Sequence, residues 1–128
     1  PIISNREALA VNDAWVGDAG ILVKKSDELV NFTNCAWGFN MNCQHAATMV
    51  WKKQLPDNMM AVLLMNNIDV AADVTISWHE LPSDLHFRCA AGGCPVRDVY
   101  THTDLGEYND GGFTAKNIPP HDSVFIVV

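Results

Sequence analysis

Nothing in this sequence is apolar for the roughly 20 consecutive residues that a membrane-spanning helix requires. The longest such run, MMAVLLM at residues 59–65, has the length of a buried strand. Positive charge is scarce as well: 8 Lys and Arg stand against 15 Asp and Glu, for a formal net charge of -7. That balance repels phosphate backbones and anionic headgroups at long range, which argues against nucleic acid and membrane surfaces as partners. No tract is rich in Gly or Pro, no internal repeat recurs, and no cysteine pair has the C-x-x-C spacing of a zinc knuckle or a thioredoxin site. Histidines 45, 79, 86 and 121 fall at no ligand spacing, and no Ser-His-Asp or Cys-His pattern can be argued from separation alone. No metal or cofactor is therefore expected. The start at Pro1, without an initiator Met or a signal-peptide pattern, reads as that of a fragment or a processed piece.

What is present is the makeup of one ordinary folded domain: 128 residues, 48% hydrophobic and 18% charged. Ser4 followed three residues later by Glu7 has the spacing of a capping box, and predicts a short helix over about residues 5–12. Ala8, Val11 and Trp15 fall on one helical face, and GDAG at 17–20 supplies glycines to end the helix. Beyond Gly20, apolar runs of four to eight residues recur between turn signals, which argues for an all-β sandwich. Strands are expected near residues 21–24, 47–54, 59–66, 74–78, 85–89, 96–101, 106–108, 113–116 and 123–128. Residues 31–46 show no periodicity and read as an insertion looped out of the sheet edge. The last strand follows Pro119-Pro120 directly and is expected to lie in the sheet buried on both faces.

Four cysteines permit three connectivities. Gly38 in CAWGFNMNC and Gly92-Gly93 in CAAGGC let the ends of two short loops meet, which favours Cys35–Cys43 and Cys89–Cys94; free buried thiols are the alternative. The sequon Asn31-Phe32-Thr33 is a candidate N-glycosylation site and, like disulfides, implies a secretory setting.

Taken in order, SNREALAVNDAW, MVWKKQLPDNMMAVLLMNNIDVAADVTISWHEL, VRDVYTHTDLGEY and IPPHDSVFIVV resemble the C-terminal part of the α-galactosidase / α-N-acetylgalactosaminidase (melibiase) glycoside hydrolases of family 27. Asn5, Glu7, Ala10, Val11 and Asn12 match that family's last barrel helix. Trp51, Ala61, Val62, Leu64 and Asn66 match its vWakpL…waVaLlNr strand pair, and Trp78 its vsW. Val96, Arg97, Asp98, His102, Asp104, Leu105 and Gly106 match vrDlwahkdlG; Pro119, Pro120 and His121 match vppHgv. Residues 31–46 and CAAGGC depart from the pattern.

The resemblance implies an antiparallel Greek-key β-sandwich of about eight strands, residues 21–128, preceded by the end of a TIM barrel, residues 1–20. It implies that Ala8, Val11 and Trp15 pack against that catalytic barrel, the expected partner, and that the parent protein is a retaining glycosidase acting on terminal α-linked galactose or N-acetylgalactosamine. Such enzymes use two carboxylates about 5–5.5 Å apart. Their strand-end and loop motifs, KYDxC-like and RsxxD-like, do not occur here, so no catalytic residue is expected and the chain alone is not an enzyme. A secreted, extracellular, lysosomal or vacuolar location follows.

The remaining polar and aromatic residues have plain structural readings. Arg97, Asp98, His102 and Asp104 read as a polar turn between strands rather than a sugar or metal site. Trp51 and Trp78 sit in apolar strands and are expected in the core, as are Met59, Met60 and Met65. His121 is expected to hydrogen-bond at the entry to the last strand. Trp37, beside Phe39 in the first cysteine loop, is the best candidate for contacting a glycan or partner, and it motivates an alternative reading as a carbohydrate-binding, adhesive or structural extracellular module.

Overall fold

A computed structural model describes residues 4–33, 42–109 and 111–128. A helix, α1 (Arg6–Asp13), is followed by β1 (Ile21–Lys25), β2 (Leu29–Thr33), β3 (Asn42–Ala46), β4 (Thr48–Gln54), β5 (Met60–Asn66) and β6 (Ala72–Ser77). A 3-10 turn (Trp78–Glu80) leads into α2 (Ser83–Gly92), and then come β7 (Cys94–Asp98), β8 (Thr103–Tyr108), β9 (Gly112–Ile118) and β10 (Ser123–Val127). Six strands form one antiparallel sheet in the order β1-β4-β5-β10-β7-β8, while β6 pairs with β9 and β2 with β3. The β10 strand comes to lie beside β7, three strands after it, which closes a Greek key across the two layers.

The core lies between the six-stranded sheet and the β6–β9 pair. Period-2 alternation sends Val62 and Leu64 of β5, with Val50 of β4, inward to meet Val74 and Ile76 of β6 and Phe113 and Ala115 of β9. Trp78, Leu81 and Leu85 belong to the same core. The approach of β9 to β6 leaves no room for a side chain at Gly112, where a Cβ would run into the Ile76 carbonyl and the Ser77 backbone. The β4–β5 connection turns through Asp57 and Asn58, both at positive φ (61° and 55°), a conformation that Asp and Asn tolerate better than most residues.

Five expectations are corrected here. Residues 85–89 are helical: Pro82-Ser83 opens α2, Leu85 and Cys89 are buried four residues apart, and Gly93 ends the helix at φ 84° while its N–H bonds the Cys89 carbonyl at 2.9 Å. Much of the segment 31–46 is the β2–β3 hairpin, registered Leu29↔Ala46 to Thr33↔Asn42. Its alternation is obscured because Phe32 and Val30 face Cys43 and His45, not another apolar row.

The capping box is not what starts α1. Asn5 is the N-cap, its Oδ1 accepting from the Glu7 and Ala8 amides at 3.0 and 3.1 Å, and the helix ends at an extended Ala14 ahead of the glycines. The terminal strand is central and its Val128 exchanges two backbone bonds with Met60, but it is buried on one face only: Ile126 and Val128 are in the core and Phe125 and Val127 are half-covered. Met59, finally, sits in the hairpin turn and is exposed; Met60 alone of the three methionines is fully buried.

Candidate functional surface

Among the described residues no group of three or more His, Cys, Asp or Glu side chains is placed to hold a metal ion. The polar side chains that do converge join elements to one another. Arg97 on β7 donates from Nε and Nη2 to both carboxylate oxygens of Glu7 on α1, at 2.9 and 2.7 Å, and from Nη1 to Asp104 at 2.8 Å. His102 Nδ1 lies 3.0 Å from the same Glu7 carboxylate. Asp98 turns away from this group and accepts from the Tyr100 and Thr101 amides at 2.8 and 3.1 Å, fixing the β7–β8 turn in which His102 takes φ 59°. Of the four residues read from sequence as a polar turn, Asp98 and His102 shape the β7–β8 turn, whereas Arg97 and Asp104 are cross-strand partners on β7 and β8, joined by Glu7, 90 positions upstream of Arg97.

Two further contacts hold α1 down. Asn5 Nδ2 donates to the Val99 carbonyl at 2.7 Å, and Lys53 Nζ donates to the Val11 and Asn12 carbonyls at 2.6 and 2.9 Å, placing a cation where the helix dipole is negative. The bidentate geometry of the Arg97–Glu7 pair fixes the angle of the helix as well as attracting it. The pair is half-exposed, so its main work is orientation.

The hydrogen bond from Arg97, reinforced by His102, holds the Glu7 carboxyl down at about 2, against an ordinary value of 4.5. A carboxyl lowered in the folded state stabilises the fold above its ordinary pKa and ceases to do so as pH falls through the lowered one. Glu7→Gln should therefore lower the melting temperature above pH 5. The gap from the native chain should narrow between pH 4.5 and 2, read from thermal melts across that range; a gap that widens on acidification would contradict this assignment.

The outward face of the six-stranded sheet, under α1, carries a groove of about 530 Å³ lined by Ala8, Val11, Trp15, Trp51, Leu63, Tyr100 and Phe125. Trp15 is 69% exposed, and Leu22, the cross-strand partner of Trp51, is exposed on the same face of the sheet. Trp51, expected in the core, is 36% exposed: it pairs with Leu63 while its neighbour Val50 pairs with Leu64, so alternation sends Val50 in and Trp51 out. That signal was present in the sequence as MVWKK. Trp78 is core, 1% exposed, with its indole N–H donating to the Tyr108 carbonyl at 3.1 Å. Ala8 and Val11, read from sequence as one face of the helix, are half-buried and turned toward this groove.

Cys89 and Cys94 are joined in a disulfide and both are fully buried. Cys35 and Trp37 lie outside the described residues. Asn31 is exposed on β2, where its Oδ1 accepts from Gln44 Nε2 at 3.3 Å. His121 meets Asp69 at 2.7 Å on the turn before β10. Sequence reasoning placed Asn66 only at the end of an expected strand and among the family-matching positions, whereas it is the buried polar centre of the fold. At 1% exposure, its Nδ2 reaches the Val70, Ile118 and Pro119 carbonyls at 2.8, 2.9 and 3.0 Å, and its Oδ1 accepts from the Ile68 amide at 3.1 Å. Lys24 and the Ser77 amide converge likewise on Glu80. Partial burial raises that carboxyl, and the two donors outweigh it and leave it below its usual range.

Residues 45–128 match the family model described as the alpha galactosidase C-terminal beta sandwich domain. α-Galactosidase 3 of Arabidopsis thaliana is 28% identical over 121 residues, which take in 94% of this chain and 23% of that protein. α-Galactosidase I from Mortierella vinacea superposes with a TM-score of 0.68 at 18% identity, covering 98% of this chain and 26% of the other. A GH27 β-L-arabinopyranosidase from Geobacillus stearothermophilus gives 0.67 at 18% identity, covering 98% and 22%. At such identities these structures speak to the fold alone. The chain thus spans about a quarter of the length of these relatives. Because the family match takes in more than half of its residues, from His45 to the terminal Val128, the chain belongs to the α-galactosidase C-terminal β-sandwich family.

Proposed function

We propose that this chain is a non-catalytic accessory domain, packed on and stabilising a catalytic barrel supplied by the rest of an α-galactosidase-like glycosidase. On this reading residues 1–20 are the end of the barrel domain and 21–128 the sandwich. Hydrolysis of terminal α-linked galactose or N-acetylgalactosamine would be carried out by barrel carboxylates, in a secreted, lysosomal or vacuolar enzyme. The observation that supports it is the groove lined by Trp15, Trp51, Leu63 and Phe125, with exposed Leu22 opposite Trp51, an apolar surface of the kind that meets another body. Aromatic anchors in such a surface each contribute about 2 kcal/mol or more when buried at an interface. Changing Trp15→Ser and Trp51→Ser together should lower the melting temperature of the full-length protein far more than that of residues 1–128 alone. Equal losses in the two would show that this face meets no barrel.

A second reading, a carbohydrate-binding or adhesive module, draws on the same exposed indoles, since aromatic faces that line a groove can stack on sugar rings. Binding on a glycan array that is lost in Trp15→Ala would favour it over the first.

A further inference from the structure

Asn31-Phe32-Thr33 has the pattern accepted for N-linked glycosylation, and the fold turns Asn31 and Phe32 to opposite sides of β2. Phe32 is held edge-on against His45, ring centroids 4.9 Å apart, and against His121 at 6.3 Å, which ties the hairpin to the turn before β10. Successive residues of a strand face opposite ways, so Asn31 turns outward, and it is exposed. Its contact from Gln44 goes to Oδ1, so a substituent on Nδ2 leaves that bond intact. Among the described residues β2 pairs only with β3, leaving its other edge open; open edges invite pairing with other chains unless something bulky or charged covers them.

We propose that Asn31 carries an N-linked oligosaccharide that shields the open edge of the β2–β3 hairpin. The donor class is a polyprenyl-diphosphate-linked oligosaccharide. The Asn31 amide nitrogen bonds to C1 of the reducing-end N-acetylglucosamine, the C1–O bond to diphosphate breaks, and the diphosphate leaves with the electron pair. The displaced amide proton passes to a carboxylate of the transferase. Transfer takes place on the extended chain before β2 and β3 pair. The folded position then decides whether the product is tolerated, and an outward Asn with a free strand edge beside it tolerates a large substituent.

The proposal rests on the reading of a secretory protein, and an experiment with a supplied leader separates the two. The full-length protein is secreted from a eukaryotic host, digested, and treated with peptide N-glycosidase in ¹⁸O-labelled water. The peptide containing Asn31 should be recovered as labelled Asp, should lose the label in Thr33→Ala and Asn31→Gln, and should keep it in Thr33→Ser. Thr33→Ala retains the asparagine and so distinguishes a lost glycan from a failed fold. The two unglycosylated variants should also self-associate more in sedimentation. Recovery of the unmodified peptide from secreted wild-type protein would overturn the proposal while leaving the secretory reading, which export under the native leader tests by itself, untouched.

Discussion

Replacing Asn66 by Ala should lower the stability of the domain by about 3 kcal/mol, because a buried polar group left without its partner forfeits roughly 1–3 kcal/mol. This one side chain satisfies three carbonyls and an amide, from the β5–β6 turn on one side and the β9–β10 connection on the other. Its own backbone N–H also bonds the Asp122 carbonyl at 2.9 Å, so two turns remote in sequence are fastened at a single point. For a domain of this length the loss corresponds to a fall of roughly 10 °C in melting temperature. Asn66→Asp should be worse than Asn66→Ala, since a carboxylate would face three carbonyl oxygens at hydrogen-bond distance with nothing to donate. Urea titrations of both variants measure this. A loss under about 1 kcal/mol for the Ala variant would mean that water replaces the amide, which its near-complete burial opposes.

Trp78→Ala should cost about 3–5 kcal/mol, as large aromatic-to-Ala changes in a packed core do. The indole is among the largest fully buried side chains and belongs to one core with Leu81, Leu85 and Cys89, so its removal opens a cavity between the two layers. The Tyr108 carbonyl loses its donor at the same time. Trp78→Phe should recover most of the packing and lose only the hydrogen bond. Trp51→Ala, measured in residues 1–128 alone, should cost less than half as much as Trp78→Ala, because that indole is already partly in solvent. The same denaturation experiment on the two tryptophans therefore separates the core from the outward face; equal losses would contradict the assignment of faces.

Most strands were legible in the sequence, and the reason shows in β5 and β10. Uninterrupted apolar runs bounded by PDN, NNID and the double proline leave little choice but a central strand. Where the sequence misled, two signals competed. In residues 83–92 a short apolar run looked like a strand, yet Pro82-Ser83 and Gly93 bracket it as a helix, and Leu85 with Cys89 has helical spacing. In β2–β3 the cross-strand partners are Phe with Cys and Val with His, so no alternation of apolar and polar residues marks the pair.

The surface was the harder part. Ala8, Val11 and Trp15 were identifiable as one helical face, but which body that face meets depends on where α1 sits. That is set by Asn5–Val99, Glu7–Arg97 and Lys53 with the last helical carbonyls. These pairs are 40 to 95 residues apart, and separations of that kind leave no mark on local periodicity.

From residues alone came the class of fold, the family likeness and the position of the sequon. Each is a local property, fixed by alternation, turn residues or a short string. Tertiary structure alone decided that Asn66 is a buried junction, that Trp51 faces out while Trp78 faces in, and that Glu7 belongs to β7 as much as to its helix. Those facts depend on which strands lie side by side, and strand order is the outcome of the whole chain closing around one core.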